Sequence, residues 1–99
     1  MNALVRYHVE QRLNDDGVTV TNITKNNNFT ALLSSSDLSA SFMIEETGAD
    51  EQVQGVILLE NAPEHGDILL IENQKYIVQT VQKRITAKIA RFYANLKIH

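Results

Sequence analysis

The chain has no cysteine and no tryptophan, one proline (Pro63), and four glycines that stand singly. Without cysteine there is no disulfide framework and no thiolate metal site. Isolated Gly17, Gly48, Gly55 and Gly66 make no glycine-rich phosphate loop. No apolar run approaches the roughly eighteen residues of a membrane helix, so no membrane partner is expected. The opening Met1–Arg6 lacks the basic region and apolar core of a signal peptide, and the chain reads as one made and used in a cytoplasm. A basic surplus is also missing. Nine Lys and Arg stand against twelve Asp and Glu, a formal net charge of −3. That balance argues against a sequence-independent nucleic-acid binder, while leaving room for a local basic face.

Ninety-nine residues, 43% of them hydrophobic, suit one globular domain with a modest core. From residue 4 to 13 the chain alternates, with Val5, Tyr7, Val9 and Leu13 on one parity and Arg6, His8, Glu10 and Arg12 on the other. This period of two, followed by Asn14-Asp15-Asp16-Gly17 and the β-branched run Val18 to Thr24, predicts a hairpin over 4–24. A helix is the alternative, because Val5, Val9 and Leu13 are also spaced by four. Lys25 to Asn28 makes a turn, Phe29 to Leu33 a strand, and Ser34 to Asp37 a break. Residues 38–45 alternate again as a strand. The acidic, aperiodic 46–54 reads as an exposed loop. Gly55 to Leu59, apolar on both faces, reads as a strand that is central in its sheet or sandwiched between layers.

The strongest local signal is Gly66 to Gln82. Ile68 to Ile71 and Tyr76 to Val81 are apolar strands separated by the polar Glu72-Asn73-Gln74, a hairpin pattern. Beyond it, 83–90 fits a strand or a helical turn equally, and 92–98 fits a strand. The apolar parity flips near Ala90-Arg91, which predicts a bulge or turn there. Seven or eight short strands with frequent turns give the fold class: mainly β, a small single-domain barrel or sandwich of about seven antiparallel strands, 1–99, with one long acidic loop.

Catalytic chemistry is not indicated. His8, His65 and His99 fall on a strand face, in a turn and at the last residue, and read as surface histidines rather than metal ligands. The serines at 34, 35, 36, 39 and 41 belong to no G-x-S-x-G elbow. No enzyme, cofactor or metal is expected. Two features stand out. The basic segment Lys83, Arg84, Lys88 and Arg91, with Lys97 beyond it, is interleaved with Phe92 and Tyr93. It is a candidate contact for nucleic acid or an acidic protein face, against the plainer reading of a solvated strand edge. The acidic loop with Glu45, Glu46, Asp50 and Glu51 is either a docking element or a flexible hairpin tip.

The Gly66-to-Val81 stretch resembles phage head–tail joining (head-completion or stopper) proteins. Their pattern is Gly-Asp-x-apolar-x-apolar, a short polar turn, an aromatic, then x-Val-x-x-Val. Here it stands as Gly66-Asp67-Ile68-Leu69-Leu70-Ile71, then Glu72 to Lys75, then Tyr76-Ile77-Val78-Gln79-Thr80-Val81. The chain departs from the family in its Asp15-Asp16-Gly17 turn and its basic 83–91 segment. The resemblance implies a structural virion protein, assembled in the host cytoplasm. It would form a homo-oligomeric ring at the connector, with portal or adaptor and tail proteins as neighbours and DNA passing through. By position, the carboxylates of loop 45–54 would then line the channel and repel phosphate. The alternative is a small OB-like barrel that binds single-stranded nucleic acid through Phe92, Tyr93 and the basic residues beside them.

Overall fold

A computed structural model of the protein describes residues 11–34, 36–45, 56–86 and 89–99. Residues 11–16 are helical. Seven strands follow: β1 (Val18–Asn22), β2 (Asn27–Ser34), β3 (Ser39–Glu45), β4 (Val56–Leu58), β5 (Ile68–Ile71), β6 (Gln74–Thr86) and β7 (Ile89–Ile98), with a 3₁₀ turn at Leu59–Asn61 after β4. The strand order β2-β1-β5-β6-β7-β3 closes on itself through β2–β3. The result is a closed six-stranded antiparallel barrel in which every strand has a partner on either side.

Alternation along each strand fills the interior. Val20, Phe29, Ala31, Ala40, Phe42, Leu69, Ile71, Val78, Phe92, Ala94 and Leu96 form the core. Register matches size to size, with Phe42 opposite Phe92 and Ala40 opposite Ala94. Phe29, Phe42 and Phe92 stack as a tilted row, with ring centroids 4.8 and 5.4 Å apart. Each such pair adds about 0.5–1.5 kcal/mol beyond its buried area.

The β5–β6 hairpin closes through Glu72 and Asn73, at φ 50° and 69°, with Ile71 opposite Gln74. Two positive-φ residues define the mirror-image turn that matches strand twist, so β6 starts two residues earlier than its apolar run suggests. It then continues through the ambiguous 83–86 as strand.

Four expectations are corrected. The strand read over 4–13 fails at its end, since 11–16 is helical; 1–10 lies outside the described residues. Over the described residues 11–16 the backbone is helical and does not alternate. Leu13 is buried at 1% exposure, and the Gln11 amide reaches Asp15 one turn on. Asn14-Asp15-Asp16-Gly17 is therefore a helix end, not a hairpin turn. The Gly17 N–H donates to the Leu13 carbonyl at 2.8 Å. A Cβ on Gly17 would collide with that carbonyl oxygen and with the Thr30 methyl, so only glycine fits.

The strand at 55–59 is not sandwiched. Its strand part, β4, pairs among the described residues with β3 alone, and in parallel. Ile57 is buried, but Leu59 has turned outward into the 3₁₀ turn at 43% exposure. β4 takes over the half of β3's edge that β2 leaves, since β2 pairs Ser39–Ser41 and β4 pairs Met43–Glu45. This parallel pair is also an exception to an all-antiparallel sheet. Finally, no bulge lies at Ala90-Arg91. Pairing with β6 and β3 runs regularly there, the chain passes from β6 to β7 between Thr86 and Ile89, and the irregularity sits between Val78 and Thr80. The loop 46–54 lies outside the described residues.

Candidate functional site

Two constellations rise above the general packing. The first is a bracket around Gly66-Asp67. Gly66, at φ 90°, adopts a backbone that side chains disfavour. Its N–H donates to the Val78 carbonyl at 2.8 Å, and the Val78 N–H donates back to the Asp67 carbonyl at 2.9 Å. The Asp67 carboxylate, 7% exposed, accepts from the Asn22 amide at 2.9 Å and from the Glu64 N–H at 2.9 Å. Asn22 itself is fully buried, and its oxygen accepts the Lys25 N–H at 3.0 Å. Above them Lys25 pairs with Glu64 at 2.8 Å. That contact, chiefly the hydrogen bond, raises the lysine pKa. The hydrogen bonds of this bracket stitch β1 to the chain entering β5 and to β6.

The second constellation lies on the outer face of β2, β3 and β7. A groove of about 330 Å³ opens there, walled by Leu32 and Ser41, which are register partners, with Asp37, Ser39, Arg91 and Tyr93, and with Arg12 from the helix. Arg91 stands directly opposite Arg84 on β6. Like charges so placed repel. Tyr93 holds them apart: Arg91 donates to its hydroxyl at 3.3 Å, and the Arg84 guanidinium lies over its ring at 5.4 Å. Among the described residues no carboxylate pairs with Arg12, Arg84 or Arg91. The neighbouring Asp37 is engaged elsewhere. It accepts from the Ser39 hydroxyl at 2.7 Å, and that bond, with a second from Ser34, holds its carboxyl below the usual range.

The predicted contact residues divide. Arg84, Arg91 and Tyr93 come together on this outer face. Phe92 does not join them. At 6% exposure it belongs to the core, because alternation sends it to the opposite side of β7 from Tyr93, and it cannot stack on a base. Lys83 is opposite Phe92 and lies over its ring at 5.9 Å. Lys88 lies outside the described residues, as do Glu46, Asp50 and Glu51. Glu45 ends β3, opposite Ile89. His65 and His99 are exposed, His8 is outside the described residues, and among the described residues no cluster of three metal-ligating side chains occurs. Arg12, Asp37 and Ser41 escaped the sequence reading. Their nearness is created by the helix and by barrel closure through β2–β3, and no local motif signals it. No helix among the described residues is long and apolar enough to cross a membrane.

Comparison with protein-family models, with curated proteins and with solved structures finds no match to this chain.

Proposed function

We propose that the protein is a structural virion subunit of a tailed phage or prophage, one copy of a ring at the head–tail connector. The observation that carries this reading is the Gly66-Asp67 hairpin. The stretch that resembles the head–tail joining family is here the stitch that joins β1 to the β5–β6 hairpin of a small barrel. Closure supports an assembly role of a particular kind. Each barrel strand has a partner on both sides, while among the described residues β6 from Gln79 to Thr86 pairs with β7 alone and β4 with β3 alone, so neighbours meet through side-chain surfaces or at these two short edges. An amber mutation in the gene tests the proposal. Full heads and complete tails accumulating unjoined, with the protein found at the neck of wild-type particles, is the expected result. Infectious particles lacking the protein refute it.

A nucleic-acid role keeps a narrower footing in Arg84, Arg91 and Tyr93. The barrel has six strands where an OB-fold has five, and the stacking residue Phe92 is internal. Salt-dependent binding of labelled single-stranded DNA, lost on Tyr93→Ala, would favour it.

A further inference from the structure

We infer that the groove bounded by Arg12, Ser41, Arg91 and Tyr93 receives the acidic segment 45–54 of a second copy. This rests on the ring assembly proposed above and names the contact between neighbours. Three observations carry it. First, Arg84 and Arg91 are opposed across β6 and β7, an arrangement that disfavours the isolated chain, and no described carboxylate neutralises them or Arg12. Second, their donors face outward. Tyr93 accepts from Arg91, which leaves the tyrosine O–H and the other guanidinium N–H groups to meet an incoming carboxylate, with planar guanidinium suited to its two oxygens. Third, the chain carries its own complement: residues 45–54 hold Glu45, Glu46, Asp50 and Glu51 with no Lys or Arg.

An acidic peptide suits this groove better than a phosphodiester chain. Asp37, held ionised by Ser39 and Ser34, leaves part of the wall negative. The protein's net charge of −3 also opposes a polyanion that must be followed over many residues. A few carboxylates need only the guanidinium end. The segment leaves from the Glu45 end of β3, while the groove lies at the Ser39–Ser41 end. The donor and acceptor patches therefore differ, giving a head-to-tail contact of the kind that closes rings. Engaged this way, the segment ties neighbours together and is not free to line the channel.

The test uses the full chain with its own segment neutralised (Glu45→Gln, Glu46→Gln, Asp50→Asn, Glu51→Gln) and a fluorescein-labelled peptide of residues 45–54. Binding is expected by anisotropy at low salt, weakening as salt rises, and falling by about tenfold when Arg12→Gln and Arg91→Gln are added. A peptide with lysine at its four acidic positions should bind the Arg12→Glu, Arg91→Glu chain and not the parent, which guards against a variant that merely unfolds. Absence of binding, or equal binding of the neutral peptide, overturns the inference. So does displacement of the peptide by single-stranded DNA at lower concentration, which assigns the face to nucleic acid. Carbodiimide cross-linking of Arg91→Lys chains, mixed as heavy and light isotopic forms, places the contact. Heavy–light links between position 91 and the segment support it, and links within one copy alone overturn it. The peptide measurement is independent of virion assembly, so a failed amber phenotype and a failed groove are separate outcomes.

Discussion

Removing the Asp67 carboxylate should cost the barrel a large part of its stability. In Asp67→Ala the Asn22 amide, at 0% exposure, loses its acceptor, and a buried donor left unpaired costs about 1–3 kcal/mol. The Glu64 N–H loses its acceptor too, but that residue is exposed and water replaces it, at about 0.5–1 kcal/mol. The sum is about 1.5–4 kcal/mol, or a fall in Tm of roughly 15 °C near the middle of that range for a chain of this size. Asp67→Asn should be milder. Both N–H groups bond one carboxylate oxygen, and an amide oxygen can take its place. Only the charge assistance is then lost, about 1–2 kcal/mol.

Urea unfolding followed by circular dichroism reads these values as shifts in midpoint at constant slope. A double-mutant cycle with Asn22→Ala isolates the pair and should return a coupling of about 1–2 kcal/mol. If Asp67→Ala costs under about 0.5 kcal/mol, or if the coupling is zero, the bracket is not what joins β1 to the β5–β6 hairpin.

Gly17→Ala and Gly66→Ala should destabilise for different reasons. The first drives a methyl into the Leu13 carbonyl and Thr30 and should cost about 2–3 kcal/mol; the second meets nothing within 4 Å and pays only for its φ of 90°, about 1 kcal/mol. Chemical denaturation ranks them. Phe92→Ala should cost about 3–5 kcal/mol by emptying the aromatic row, whereas Tyr93→Ala one residue on should shift the thermal midpoint by only a few degrees. Ser39→Ala should raise the Asp37 carboxyl titration toward the ordinary value of 3.8 in a carbon-detected NMR titration. Because the folded pKa is lowered, this hydrogen bond stabilises above the unfolded pKa and is lost as pH falls through the folded one.

Legibility in the sequence followed the range of the determining contacts. Phe42 was placed on its strand face by alternation alone and Asn26 in its turn by its tolerance of φ 59°, whereas Phe92 was read as a contact residue although it shares its parity with Ala94 and Leu96. The β5–β6 hairpin was visible because both strands and the turn are contiguous. The helix at 11–16 was misread because Val5, Val9 and Leu13 satisfy periods of two and of four at once. Its last turn also carries Asp15 and Asp16, where a helix end favours the opposite charge. β4 looked central because Val56, Ile57 and Leu58 are apolar. Its position at an edge depends on β2 leaving half of β3 unpaired, a fact about residues more than twenty positions away. The groove was illegible for the same reason: Arg12, Asp37 and Arg91 meet only after the barrel closes.

The motif that carries the family resemblance and the surface that discriminates function are different parts of the molecule. Gly66, Asp67 and Val78 are consumed by hydrogen bonds to one another and to Asn22, so any protein that needs this stitch in a small barrel would arrive at the same residues. Arg84, Arg91 and Tyr93 are not required by the barrel. Directly opposed arginines cost stability that Lys–Glu or Thr–Thr pairs at those register positions would supply. On the reading proposed above, stability spent at Arg84 and Arg91 marks the outer face of β6 and β7 as the working surface. Replacing Arg84 with glutamate should therefore stabilise the isolated chain, by about 0.2–1 kcal/mol, while impairing whatever this face binds. An Arg84→Glu chain that melts lower than the parent would show that the opposed pair serves the fold.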